Sequence, residues 1–163
     1  MSPIVRRATV DDIDELMRLR IVLRTSVGDP SPPPGPWEAQ TVSDLRERLP
    51  ETSGDLAVFV VDGPERRLVS AAFGVVHRIP AMPHRPDGRR GWVSDVVTEP
   101  DFRRQGFGRA VLSALIEWFA SRGVAEVQLN ASPAGARLYE GLGFVRDPDP
   151  SYRLFLSPTS PSE

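Results

Sequence analysis

The stretch "EPDFRRQGFGRAVLSAL", Glu99 to Leu115, decides the fold. Arg103, Arg104 and Gln105 lead into Gly106 and Gly108, and an apolar run follows at once. From Phe107 the apolar positions Val111, Leu112, Leu115, Ile116 and Phe119 recur at helical spacing, and Gly123 supplies a C-terminal cap. The preceding "GWVSDVVTEP" reads as a strand that stops at a proline, and "AEVQLNA" beyond Gly123 reads as another. A strand–helix–strand unit over Trp92 to Ala131 predicts a right-handed parallel crossover. Its glycine turn admits positive φ and brings bare amides close to a ligand. The amides of a helix's first turn are unpaired and partly positive, so this turn favours an anion such as phosphate.

Working outward, "PIVRRAT" predicts a short first strand. The helix after it is capped at Thr9 or Asp11 and faces the core with Ile13, Leu16, Met17, Leu23 and Val27. "GDPSPPPGPW", Gly28 to Trp37, has five prolines in ten residues and predicts a stiff loop. "EAQTVSDLRERL" predicts a second helix. "DLAVFVVDG" and "LVSAAFGVVHRI" predict two strands joined by a turn, and the loop Pro80 to Gly91 follows. "SPAGARLYEGLGF" predicts a short helix with Ser132 as N-cap and Pro133 in its first turn. "FVRD" and "SYRLFL" predict two closing strands. The fold class is therefore α/β (α+β): one domain over residues 1–157 with a polar tail at 158–163. Its sheet is mixed and mostly antiparallel, with about six to seven strands and about four flanking helices.

The chain of 163 residues suits one core. Its net charge of −2 gives no general attraction to nucleic acid or an anionic membrane, and no basic stripe with interleaved aromatics is present. All cationic side chains are arginine. Cysteine is absent, which excludes disulfides, thiolate metal sites and a cysteine nucleophile. With two histidines, His77 and His84, no metal site is expected. No apolar stretch nears the ~18 residues of a membrane span, and the N-terminus has no signal-peptide core, so a cytoplasmic protein is expected.

"VVTEPDFRRQGFGRAVL" resembles motif A of the GCN5-related N-acetyltransferase (GNAT) superfamily, with Arg103, Gly106 and Gly108 at the motif's positions. "ARLYEGLGF" is similar to that family's last helix, through Ala136, Leu138, Tyr139, Glu140, Leu142, Gly143 and Phe144. The two motifs are about thirty residues apart and in the family's order, and the N-terminal "VRRATVDDIDEL" resembles its opening. The middle, residues 28–91, carries little of the resemblance.

The resemblance implies acetyl-CoA as cosubstrate and a primary amine, on a small molecule or a peptide, as acceptor. It implies direct attack in a ternary complex. It further implies that the pyrophosphate meets the segment Arg103, Arg104, Gln105, Gly106, Phe107, Gly108 and Arg109, and that the pantetheine arm lies along Val96, Val97 and Thr98. Ser132 stands where the family often has an asparagine bonded to pantetheine. Tyr139 matches a tyrosine near the sulfur, and a phenol there can protonate the leaving thiolate. Asp95 is the one acid inside the motif A strand, and serves as general base or as a partner for substrate ammonium. Strict alternation puts Trp92, Ser94 and Val96 on one face and Val93, Asp95 and Val97 on the other. Trp37, His77, His84, Trp92 and Asn130 are candidates to line the acceptor pocket. A coenzyme A-binding module without catalysis is the alternative. A homodimer through the late strands is compatible with the sequence.

Overall fold

The computed structural model describes residues 3–28 and 35–156. Most of the proline-rich loop and the tail at 158–163 lie outside them. The elements run β1 (Val5–Arg7), α1 (Ile13–Ser26), α2 (Pro36–Arg48), β2 (Leu56–Asp62), β3 (Leu68–Arg78), β4 (Arg89–Thr98), α3 (Phe107–Ser121), β5 (Val127–Leu129) and α4 (Ala136–Glu140). The sheet order is β1-β2-β3-β4-β5. The first four strands are antiparallel, and β5 joins β4 in parallel after the α3 crossover.

Helices cover both faces. Leu16 and Leu19 of α1 and Leu45 of α2 pack with Val58, Val60, Ala71 and Phe73. On the other face Val111, Leu112, Leu115 and Phe119 of α3 pack with Ala57, Val61, Ala72 and Val93. β2 is buried on both sides, so its sequence is a continuous apolar run rather than an alternating one. Gly74 lets α3 approach: a Cβ there would lie 2.6 Å from Leu115 Cδ1 and 2.7 Å from Phe119 Cζ.

Two sequence expectations change. Residues 144–147 and 151–156 form no strand, so the described sheet has five strands. Both segments have strand-like composition, but a strand needs a ladder partner, and neither has one among the described residues. Ser132 does not cap α4 directly. It caps the turn before it, where its Oγ accepts the Gly135 amide at 3.3 Å, and the helix begins after Gly135.

Candidate active site

The turn between β4 and α3 leaves donors without acceptors. Gly106 takes φ 86° at the helix N-cap, and nothing lies within 4 Å of where its Cβ would stand. The first amide of α3 to find a carbonyl is that of Ala110, on Gly106 O at 3.0 Å. Among the described residues the amides of Phe107, Gly108 and Arg109 have no backbone acceptor. Gly108 sits where a Cβ would come within 3.2 Å of Thr98 Oγ1, so glycine keeps β4, α3 and this turn close together. These open amides at a helix start fit a pyrophosphate.

The side chains around the turn divide. Arg103 Nε donates to Thr98 O at 3.1 Å, and Gln105 Nε2 to Asp101 O at 3.2 Å. Both brace the turn. Arg104, exposed and at φ 62°, makes no side-chain bond within the described chain. Arg109 Nη2 donates to Gly141 O at 3.0 Å and so ties the start of α3 to the end of α4.

β4 and β5 are paired at Gly91, Trp92 and Val93 with Val127, Gln128 and Leu129. Beyond Val93 they separate, and the edge of β4 facing β5 carries no ladder along Val96, Val97 and Thr98. An extended arm fits such a splayed edge. Across the strand, Ser70 Oγ donates to Val97 O at 2.9 Å and lies 2.9 Å from Thr98 Oγ1, which fixes β4 from the β3 side.

Tyr139 stands on α4 with its ring against Gly135, where a Cβ would be 2.9 Å from Tyr139 Cε2, and edge-on to Phe144 at 6.0 Å. Burial pushes its phenol pKa up. It therefore keeps its proton throughout the neutral range, as a general acid must. Trp92, Asn130, Ser132 and Tyr139 border one cleft of about 1280 Å³, and His84 lies at its far end, 3.0 Å from Glu126.

Asp95 lies elsewhere. Phe73 pairs with Asp95 but Gly74 pairs with Val93, so Ser94 is an extra residue in β4, a β-bulge. The bulge breaks the expected alternation. Val93 and Val97, expected on one face, sit in opposite cores, and Asp95 turns to the α1–α2 face. There it borders a second cavity of about 310 Å³ with Arg20, Thr41, Asp44, Arg48 and Phe73. Arg20 Nε donates to Asp95 Oδ2 at 3.2 Å and Nη1 to Thr41 Oγ1 at 3.3 Å. Tyr139 and Asp95 thus border different cavities.

Trp37 and His77 border neither cavity. Trp37 packs on the α1–α2 core under Arg24, 5.3 Å from its ring centroid, and His77 pairs with Arg90 within the sheet. Arg20, Thr41 and Asp44 were not singled out in the sequence. Arg20 does leave a trace, since it occupies the slot after Leu16 and Met17 on the apolar stripe of α1.

Comparison with known proteins agrees with this arrangement. Residues 28–144 match the sequence profile described as Acetyltransferase (GNAT) family. A mycothiol acetyltransferase of Thermobispora bispora is 36% identical over 118 residues, 71% of this chain and 38% of that protein. A glucosamine 6-phosphate N-acetyltransferase of Trypanosoma brucei brucei is 30% identical over 116 residues, 70% of this chain and 73% of that protein. The matches span only 28–41% of the length of the first three curated relatives. A crystal structure of a predicted acetyltransferase from Clostridium acetobutylicum with acetyl-CoA has the same fold. Its TM-score is 0.81 at 21% identity, over 94% of this chain and 96% of that one. With its open amides at α3, its parted β4 and β5 and its tyrosine helix, the chain belongs to the acetyltransferase (GNAT) family.

Proposed function

We propose that the protein is an N-acetyltransferase that moves an acetyl group from acetyl-CoA to a primary amine. The observation that carries this reading is the set of unpaired amides at Phe107, Gly108 and Arg109 beside the open Gly106, tied through Arg109 to the helix that holds Tyr139. Acetyl-CoA, when bound, supplies a thioester with a thiol leaving group. The amides of the α3 start hold its pyrophosphate, Arg104 adds a mobile cation, and the free edge of β4 at Val96, Val97 and Thr98 binds the pantetheine arm.

The acceptor enters from the α1–α2 face, where Asp95, paired with Arg20, and Asp44, paired with Arg48, border the smaller cavity and offer their second carboxylate oxygens to an ammonium group. Asp95, directly or through water, takes the ammonium proton. The neutral nitrogen then bonds to the acetyl carbon while the carbon–sulfur bond breaks. A main-chain amide of β4 near Val97 stabilises the charge on the carbonyl oxygen. The Tyr139 hydroxyl gives its proton to the departing sulfur, and the second proton of the nitrogen, acidic once the new bond has formed, passes through water to restore the phenol. Direct attack is favoured over an acyl-enzyme, because the chain has no cysteine and no serine in a nucleophile-elbow pattern. An amine acceptor also accords with the name of one relative above, the glucosamine 6-phosphate N-acetyltransferase.

The test is release of free thiol from acetyl-CoA with a panel of small amines, amino acids, aminosugars and peptide N-termini. Turnover with at least one amine, reduced in Tyr139→Phe, supports the reading. Binding of acetyl-CoA without turnover on any of them supports the coenzyme A-binding module instead.

A further inference from the structure

Arg20 is held at three points and open at a fourth. Its Nε donates to Asp95 Oδ2 at 3.2 Å, its Nη1 donates to Thr41 Oγ1 at 3.3 Å, and its guanidinium lies over the Phe73 ring, 5.9 Å from the centroid. Thr41 gives its own proton to Trp37 O at 2.8 Å, so its oxygen is left to accept from Arg20. Nη2 has no acceptor among the described residues, and Arg20 borders the smaller cavity with its side chain only 19% exposed. A guanidinium fixed in this way is a pre-set fork with a donor to spare, and such a fork matches a carboxylate.

Asp95 supplies the opposite sign beside it. Its Oδ2 is engaged by Arg20 and by Ser94 Oγ at 3.5 Å, and its Oδ1 has no partner among the described residues. One free donor and one free acceptor therefore stand on the two halves of a single ion pair. An α-amino acid carries the reverse arrangement, an ammonium and a carboxylate on one carbon. Laid against this pair, its carboxylate meets Arg20 and its ammonium meets Asp95.

The rest of the cavity fits the same ligand. Asp44 and Arg48, one turn apart on α2, are paired at 3.1 Å, so the two arginines and two aspartates of the lining balance in charge. A simple amine would add an uncompensated cation to this half-buried site, and an aminophosphate an uncompensated anion. A zwitterion adds neither. Leu45, Leu56 and Val75 complete the lining with apolar surface, which suits an apolar side chain. At about 310 Å³ the cavity stands at the low end of the ~300–1,000 Å³ of small-molecule sites, which suits a single amino acid.

We infer that the acceptor is a free α-amino acid with an apolar side chain, its carboxylate held by Arg20 and its ammonium by Asp95. The inference rests on the acetyltransferase reading for the fate of the amine, while the recognition itself can be measured without turnover.

The test compares L-leucine, L-methionine and L-phenylalanine with their primary amides and with the amines left by decarboxylation, in thiol release from acetyl-CoA. The amide stands in for a peptide N-terminus, which lacks the free carboxylate. At least one amino acid is expected to exceed both of its analogues in kcat/KM by about tenfold or more, chiefly through KM, because a buried donor is left unpaired by the analogues. In Arg20→Gln this ratio is expected to fall toward one, and in Arg20→Lys to recover in part. An Arg20 that served only to orient Asp95 would slow all three compounds together and leave the ratio unchanged, which overturns the inference. Amides or decarboxylated amines that match the amino acids in the wild-type chain also overturn it and leave the acetyltransferase reading standing. If none of these compounds is turned over, equilibrium dialysis of the three labelled amino acids decides. Binding that Arg20→Gln abolishes upholds the recognition and counts against the acetyltransferase reading. No binding, or binding that Arg20→Gln leaves unchanged, overturns the inference.

Discussion

Arg109 Nη2 donates to the carbonyl oxygen of Gly141 at 3.0 Å, joining the first turn of α3 to the last turn of α4 across 32 residues. The two sequence motifs are thus one mechanical unit. Arg109→Ala removes the tie and a cation from the anion site together. It is expected to weaken acetyl-CoA binding about tenfold, equivalent to about 1.4 kcal/mol. A calorimetric titration, with circular dichroism as the folding control, checks this.

Tyr139→Phe keeps the ring packed on Gly135 and Phe144 and removes only the hydroxyl. The expected result is a kcat lower by about 10²-fold with KM for acetyl-CoA unchanged. The pH profile adds a sign. Burial raises the phenol pKa, so the acid form is retained through neutral pH and lost only as pH rises through that elevated value. The wild-type rate therefore falls on the far alkaline side, and this limb is absent in Tyr139→Phe.

Asp95 and Arg20 are linked at 3.2 Å. Asp95→Asn is expected to lower kcat/KM for the amine by at least tenfold and leave acetyl-CoA binding unchanged, because the residue borders only the α1–α2 cavity. Arg20→Gln frees Oδ2 of Asp95, and its effect on kcat/KM is expected to be non-additive with Asp95→Asn, since the two residues share one bond. Steady-state kinetics of the four-member cycle measure this.

Acid stability depends on a different cluster. Arg6 forms two hydrogen bonds with Asp12 and two with Asp62, all 2.7–2.8 Å, holding β1 to β2 and to the entry of α1. The Arg6 guanidinium holds both carboxyl groups below the usual range. A carboxylate with a lowered folded-state pKa contributes stability that is present above the unfolded value, ~3.9, and lost as pH falls through the folded one. Arg6→Gln is expected to cost about 1 kcal/mol at neutral pH and to flatten the stability loss below that value. Urea unfolding at neutral and acid pH reads both.

The legible part of the fold is the part written in local pattern. The α3 stripe, the Gly106 turn and the tyrosine helix each rest on neighbours within a few residues, and the structure has all three. The bulge at Ser94 rests instead on the register of β4 against β3, which no local pattern in "WVSDVV" records. One inserted residue moved Asp95 to another cavity and separated Val93 from Val97. The closing strands failed for a related reason: "SYRLFL" has strand chemistry, but pairing depends on a ladder partner distant in sequence, and among the described residues it has none. Asp44 and Thr41 reach the smaller cavity through the docking of α2 on α1, a tertiary event.

The central claim is that the open amides at the start of α3 hold the pyrophosphate of acetyl-CoA. The most direct measurement is the acetyl-CoA dissociation constant of Gly106→Asp beside that of Gly106→Asn. Both side chains carry the same backbone strain at φ 86°, and both enter empty space. Only the aspartate puts a negative charge against the phosphates. The account predicts that the aspartate variant binds at least tenfold more weakly than the asparagine variant, and that added salt narrows the difference. Equal affinity in two folded variants would contradict it.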